Sequence, residues 1–384
     1  MSALFQAAVV FVVALVVTLA TVPVSKRIAV AIGAVDYPSN RRVNTEPIPR
    51  CGGIALYCGF MAGLLVLYIG THLWGWNVHN TYFLQPFNYP LLFVGVTAMF
   101  ALGLLDDVKQ IAAGPKFLGQ IAASAIVALS GVSIGSVYLF GQGFVELGWL
   151  DLPLTVLYLV VFVNVTNLID GLDGLAAGIV AICSVALMIL VVERGSITLA
   201  CVCVCLLGVC LGFLRYNFNP ASVFMGDSGA LFLGLMLGII SLTGVVRMQS
   251  IVVLAVPIII AGVPIIDTAS AILRRLASHK SIGEPDMNHI HHRLLRSGLS
   301  QRSTVLVLYA VTIAMVAVAL LLSNTTGLLR TVASIAILLV GLVVVCLLGI
   351  AGPVLQHHYE GKGKTGPRTP DDRRPSESFN KKIK

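Results

Sequence analysis

The chain has 384 residues, of which 57% are hydrophobic and only 11% charged, with a formal net charge of +8 and a mean hydropathy of +0.94. Water-soluble domains carry about a quarter charged residues, so this composition excludes a soluble enzyme or binding module and describes an all-α polytopic integral membrane protein. The basic residues are split among short loops beside apolar runs, which excludes nucleic acid as a partner and leaves membrane lipids.

A helix crosses a bilayer with about 20 apolar residues. On that measure about eleven spans follow in order, at 3–24, 53–73, 90–105, 117–131, 152–168, 175–192, 197–214, 230–246, 251–276, 304–322 and 328–350. The first has no basic segment ahead of it and no small-residue cleavage site, so it reads as a retained helix. The fourth and eighth are short enough to be tilted or partly re-entrant. Lys26, Arg27, Arg41, Arg42 and Arg50 fill the first loop, and Lys109 and Lys116 the third. Lys280, Arg293, Arg296 and Arg302 fill the loop after the ninth span, whereas the second and fourth loops have neither residue type. Lysine and arginine mark cytoplasmic loops. The N-terminus is therefore expected outside, the C-terminus cytoplasmic and the odd-numbered loops cytoplasmic. Between 132 and 149 the outer loop alternates apolar residues with glycine, the pattern of a small β-hairpin. Cys201, Cys203, Cys205 and Cys210 lie within one apolar span, where alternate spacing cannot gather thiols on one helix face, so they read as small hydrophobes. The transmembrane domain is expected over 1–352, followed by a disordered basic tail over 353–384 that rests on anionic lipid.

Carboxylates inside a membrane protein are costly and usually mark a site. Four groups of polar residues fall in odd-numbered loops or at their edges, on one face of the membrane. The first is Asp106-Asp107-Val108-Lys109. Adjacent carboxylates repel and persist best beside a cation or a shared proton, and Lys109, one turn past Asp106, is placed to supply that charge. A solvated acid pair at a helix end is the plainer alternative. The second runs from Asn164 through Asn167, Asp170, Gly171 and Asp173 to Gly174. The glycines argue for a helix that ends near Asp170 with Asp173 turned back. Asn167 and Asp170 would then share a face as hard oxygen ligands for Mg²⁺, unless these residues simply cap two helices. In the third, Tyr216 to Gly229, Asp227 precedes a small-residue helix start, where backbone N–H groups can face an anion while the carboxylate holds a cation or serves as a cap. The fourth is Asp286-Met287-Asn288-His289-Ile290-His291-His292-Arg293. No cysteine is near, so three imidazoles and a guanidinium suit phosphate oxygens better than zinc. Asp267, near the cytoplasmic end of the ninth span, either joins the site or pairs with Arg274 and Arg275. Acids, amides, histidines and cations on one membrane face suit Mg²⁺ and a diphosphate, with a lipid-borne second substrate.

Together with Arg41-Arg42-Val43, Pro47-Ile48-Pro49-Arg50-Cys51-Gly52-Gly53 and Phe224-Met225-Gly226-Asp227, these motifs resemble the polyprenyl-phosphate N-acetylhexosamine-1-phosphate transferases, of glycosyltransferase 4 type, and especially their bacterial UDP-GlcNAc branch. The resemblance runs to about residue 352 and implies ten or eleven helices, a bacterial cytoplasmic membrane location with the active site on the cytoplasmic face, Mg²⁺ (or Mn²⁺) dependence and often a homodimer. It implies transfer of GlcNAc-1-phosphate from UDP-GlcNAc to polyprenyl phosphate with release of UMP. By the same resemblance Asp227 and Asn167 are metal ligands. Asp106 and Asp107, next to Lys109, position or deprotonate the lipid phosphate. Asn164, Asp170, Asp173, Asn217 and Phe224 line the nucleotide pocket, and His289, His291, His292 and Arg293 close over the diphosphate and sugar. The branch using UDP-MurNAc-pentapeptide has three consecutive histidines followed by an aromatic residue and an acid, so His-Ile-His-His-Arg favours UDP-GlcNAc. Relatives often carry His or Lys just before Pro-x-Pro-Arg where this chain has Asn44-Thr45, which argues against a phosphate contact from that loop. A transporter would place its acids near the membrane midplane on broken helices instead.

Overall fold

The computed structural model describes residues 2–37, 47–76, 87–139, 143–193, 195–244 and 299–323. Within them lie nine helices: α1 (Ala3–Ala31), α2 (Gly53–Leu73), α3 (Tyr89–Lys109), α4 (Ala113–Leu129), α5 (Asp151–Ile169), α6 (Leu175–Glu193), α7 (Ile197–Asn217), α8 (Gly226–Gly244) and α9 (Gln301–Ser323). Eight of them are long and apolar enough to cross a membrane, and α4 is shorter. The structure is thus that of a helical, multi-pass membrane protein. The spans expected at 251–276 and 328–350, the boundary at 352 and the tail lie outside the described residues.

The helices run past the apolar stretches that announce them. α3 continues to Lys109 and α8 begins at Gly226, so Asp106, Asp107 and Asp227 belong to helix ends rather than to loops. Apolar counting stops at the first carboxylate, but the backbone keeps its hydrogen bonds through a further turn when the carboxylates have partners.

The bundle is organised around α8. Its apolar window is 89% buried, against 22% for α1. Beyond Asp227 in its first turn, α8 is built of Leu, Ile, Phe, Met and small residues with no polar face, and a helix apolar all round is buried all round. It packs on α3 and α5, and also touches α2 and α6. Small residues permit the approach: a Cβ on Gly53 of α2 would collide with Ser228 and the backbone of Gly229. The buried hydroxyls of Tyr158 on α5 and Ser241 on α8 satisfy each other at 2.9 Å, as polar groups out of water must. α1 packs against α2 and α7, α9 against α6, and α4 against α3 and α5. Cys201, Cys203, Cys205 and Cys210 are fully buried in α7 packing, with no disulfide among the described residues.

Two short strand pairs complete the described backbone. β1 (Val35–Asp36) pairs antiparallel with β2 (Ile48–Pro49), bringing the residues before α2 back under α1. β3 (Ser136–Leu139) pairs antiparallel with β4 (Gly143–Glu146) between α4 and α5.

Candidate active site

The C-terminal ends of α3, α5 and α7 and the N-terminal ends of α4 and α8 meet at one end of the bundle. α3 is closed there by Gln110 in the left-handed region (φ 51°), whose N–H donates to the Asp106 carbonyl. That reversal aims the next backbone N–H, of Ile111, at Asp106 Oδ1 at 2.6 Å. α4 starts immediately, and its first turn carries Lys116, whose Nζ donates to Asp106 Oδ2 at 2.9 Å and to Asp227 Oδ2 at 2.7 Å. Asn167, in the last turn of α5, donates from Nδ2 to Asp227 Oδ1. Residues 106, 116, 167 and 227 are therefore one polar cluster drawn from four helices.

Asp107 faces the other way. Its side chain is fully buried, and it accepts hydrogen bonds from the N–H of Asp227 (2.8 Å), the N–H of Ser228 (3.0 Å) and the Ser228 hydroxyl (2.6 Å). Those are the orphan donors of a helix start, so α3 supplies the N-cap of α8 from outside α8's own sequence. Arg50 Nη2 stands 3.5 Å from Asp107 Oδ1, and Nη1 stands 3.8 Å from Asp36 Oδ1. The Pro49–Gly53 stretch is stitched to the loop before α8 by backbone bonds: Phe224 N to Pro49 O, Gly52 N to Phe224 O and Gly53 N to Met225 O. Gly226 completes the join with φ +68°, and a Cβ there would strike the Arg50 carbonyl and the Asp107 carboxylate.

The expected relief of the Asp106-Asp107 pair is present, but by two cations serving one carboxylate each. Neither is Lys109. The α3 C-terminus ends in a reversal that gives both Asp106 oxygens other donors, so Lys109 is left exposed with no ion pair among the described residues. There it answers only to the negative end of the helix dipole. Lys116 was missed as a site residue, yet it carried a signal. A lysine in the first turn of a helix, just after Gly114-Pro115, opposes the dipole and needs an anion beside it.

α5 ends at Ile169 with Asp170 at its C-cap, and the turn to α6 closes through Gly174 at φ +80°. Asn167 is brought to Asp227 rather than to Asp170. Asp170 makes no side-chain hydrogen bond among the described residues. Burial, and then the negative charges of Asp227, Asp107 and Asp173, push its carboxyl well above the usual carboxylate range, with Arg50 opposing. Asn164 donates to Gln120 of α4 at 2.7 Å and to the Val160 carbonyl, deeper in the bundle. Asp173 and Asn217 tie the turns after α5 and α7 together. Asp173 Oδ2 accepts from Ala221 N (3.0 Å) and Asn219 Nδ2 (2.9 Å). Asn217 accepts from Gly174 N (3.0 Å) and donates to Val223 O (2.9 Å). Asn219 also reaches Gln301 at 2.7 Å, and Arg302 Nε donates to its carbonyl, fastening the start of α9 to this end. Phe224 contributes backbone bonds and a half-buried ring. His289, His291, His292 and Arg293 lie outside the described residues. Among those described, no three His, Cys, Asp or Glu side chains converge as a metal cluster. The groups that do meet are the carboxylates of Asp227 and Asp106 and the amide of Asn167, which presents its Nδ2 to Asp227.

The sequence of residues 89–245, which carries all of these helix ends except the start of α9, matches the profile of glycosyl transferase family 4. Over 305 residues, 79% of this chain and 81% of the relative, it is 41% identical to the probable undecaprenyl-phosphate N-acetylglucosaminyl 1-phosphate transferase of Bacillus subtilis (strain 168). The chain belongs to glycosyl transferase family 4. Within the family it is also 37% identical to the decaprenyl-phosphate N-acetylglucosaminephosphotransferase of Mycolicibacterium smegmatis, over 73% of each chain. It is 31% identical to the phospho-N-acetylmuramoyl-pentapeptide-transferase of Bacillus thuringiensis, over 68% of this chain and 80% of that one. The family match starts at residue 89, so Arg50 and the strand pair that carries it stand outside the matched range. They pack on it through Asp107.

Proposed function

We propose that this family 4 enzyme transfers GlcNAc-1-phosphate from UDP-GlcNAc to a polyprenyl phosphate, releasing UMP, at the cytoplasmic face of a bacterial cytoplasmic membrane. The observation that carries the reading is the Asp106–Lys116–Asp227–Asn167 cluster at one end of a membrane bundle, in a chain 41% identical to a probable undecaprenyl-phosphate N-acetylglucosaminyl 1-phosphate transferase. A phosphate oxygen of the lipid attacks the β-phosphorus of the nucleotide sugar, and the bond from that phosphorus to the bridging oxygen breaks as UMP departs. Both reactants are anions, so positioning and charge neutralisation are most of the work.

The residues present fit Mg²⁺. A hard cation of this kind takes one or two carboxylates and completes its shell with water and substrate phosphates, and the place between Asp106 and Asp227 already holds a positive charge, the Lys116 ammonium. Asp227 would be the main ligand. Asn167 would be a second with its amide turned to present oxygen. The metal's contribution when bound is to neutralise the diphosphate and sharpen the electrophilicity of the attacked phosphorus. Lys116 supplies a further cation to the phosphates, and Asp107 and Arg50 hold the start of α8 so that Asp227 points into the site. Once Lys116 turns to the phosphates, Asp106 would be the acceptor for any proton the lipid phosphate still carries, although a phosphate largely ionised near neutral pH needs little help. The Asp170 carboxyl, without a side-chain hydrogen bond among the described residues, and Phe224 lie at the same end and would be offered to the nucleotide.

The reading is tested with detergent-purified protein, radiolabelled UDP-GlcNAc, undecaprenyl phosphate and Mg²⁺. Labelled lipid and stoichiometric UMP are expected. Product with UDP-MurNAc-pentapeptide alone would move the chain to the other branch of the family, and no product with either donor or with UDP-GalNAc would reject the transferase reading.

A further inference from the structure

Every oxygen of the two facing carboxylates is taken by a protein donor. Asp106 Oδ1 has the Ile111 N–H, Asp227 Oδ1 has the Asn167 amide, and both Oδ2 atoms share the Lys116 ammonium at 2.9 and 2.7 Å. The first is backbone and the second neutral, so Lys116 is the only cation within ion-pair distance of either carboxylate among the described residues. Arg50 is directed to Asp107 and Asp36, and Lys109 stands exposed with no ion pair among the described residues. The Lys116 side chain is 18% exposed, enough for its flexible stem to swing toward an incoming ligand. Its two partners are the carboxylates a divalent cation would use, and two cations crowded onto one pair of acids repel.

We propose that Lys116 is a resident counter-ion that holds the metal position closed in the unliganded enzyme and yields it when a diphosphate offers the ammonium another anion. This rests on the metal-dependent transferase reading above. Divalent cation and diphosphate then bind with positive coupling, and Lys116 is the element they share. Coupling of this kind is reciprocal: each ligand raises the affinity of the other by the same factor. The free carboxylates are never left as a bare acid pair, because the ammonium remains on them until the nucleotide arrives.

The probe is Mn²⁺, followed by the electron paramagnetic resonance signal of the free ion, titrated into the full chain in detergent with and without UDP. Wild type should bind weakly alone and at least about tenfold more tightly with UDP. Lys116→Gln should bind Mn²⁺ more tightly than wild type in the absence of UDP, with most of the coupling gone and turnover reduced. Lys116→Arg should behave as wild type, and Asp227→Asn should abolish binding, assigning the signal to this site. If the Gln variant does not survive extraction, Lys116→Met replaces it. Mn²⁺ bound by wild type equally well with and without UDP overturns the proposal. So does a coupling of equal size in wild type and the Lys116 variants, the result of a metal that merely shares ligands with the nucleotide. Turnover of the wild type in the transferase assay separates the two readings. Turnover without Lys116-dependent coupling defeats this proposal alone, and absent turnover with absent Mn²⁺ binding defeats both.

Discussion

At the scale of single residues, two lysines seven positions apart have opposite fates. Lys109 is exposed at the favourable end of α3, while Lys116 sits at the unfavourable end of α4 and is held there by Asp106 and Asp227. Lys116→Ala should therefore lower kcat by about a hundredfold or more, the scale of losing one preorganised charge at a phosphoryl-type transition state. Lys109→Ala should change it by less than about threefold, because an exposed cation contributes little. Steady-state kinetics on both, with gel filtration to confirm folding, decides the pair. Asp170 makes a different prediction. Its carboxyl is raised by burial first and by neighbouring acids second, so in the metal-free protein its proton is retained where the unfolded chain would have lost it. Below the ordinary carboxylate range folded and unfolded chains are alike in this group. As the pH climbs the unfolded chain ionises first, and the folded state loses stability until its own raised value is passed. With a chelator present, Asp170→Asn should raise the melting temperature near about pH 7.5 and leave it unchanged near about pH 4. Thermal melts of both proteins at the two pH values measure this, and equal shifts at both would show that the effect is not titration.

At the scale of elements, α8 has its start defined by another helix. Asp107 of α3 takes two backbone N–H groups and one hydroxyl from the first turn of α8, with Arg50 beside it. Hydrogen bonds to a charged acceptor are each worth about 1.5–3 kcal/mol and do not simply add. Asp107→Ala should therefore cost about 3 kcal/mol or more, because it also leaves Arg50 facing an empty position. Ser228→Ala should cost about 1 kcal/mol, since the two backbone donors keep their acceptor. Unfolding followed by tryptophan fluorescence in detergent ranks them, and a Ser228 cost equal to the Asp107 cost would argue against the cap. The same pairing shows what a sequence can and cannot disclose. That Asp106, Asp107, Asn167, Asp170 and Asp227 come together at one end of the bundle was readable, because polar and charged groups in so apolar a chain are costly to scatter. The stop of α5 near Asp170 was readable from the glycines that follow it, whereas α7, expected to end at 214, runs on to Asn217. Which oxygen meets which donor was not: the Asp107–Ser228 bond joins positions 121 residues apart, and no local periodicity reports on such a separation. Lys116 was counted only as a loop charge for the same reason. Nor was it readable that Asn217 and Asp173 tie the turns after α5 and α7 together, through the backbone of Gly174, Ala221 and Val223 and the side chain of Asn219.

At the scale of the whole molecule, Arg50, Lys109, Lys116 and Arg302 and the polar cluster share one end of the bundle, and the α4–α5 connection with its paired strands lies at the other. Lysine and arginine are retained on the cytoplasmic side during insertion, and under the proposed function a nucleotide sugar, a water-soluble anion, would reach the cluster from that side. Both arguments lead to the same expected orientation, and neither depends on the sugar. The orientation can be measured without assaying transfer. Lys109 is exposed at the cluster end, and Trp149, 83% exposed, stands just before α5 at the opposite end. In a background lacking Cys58, the exposed native thiol among the described residues, and Cys346, Lys109→Cys should react with a membrane-impermeant maleimide in inverted vesicles and stay unlabelled in right-side-out ones. Trp149→Cys should show the reverse. The remaining thiols are buried in the packing of α2, α6 and α7 or beneath Asp107 and should stay silent; Cys51 in particular is raised to about 12, by burial first and Asp107 second, with Arg50 opposing. Labelling of Lys109→Cys from outside would place the acids beyond the reach of a cytoplasmic nucleotide, and the substrate assignment would fall with the topology.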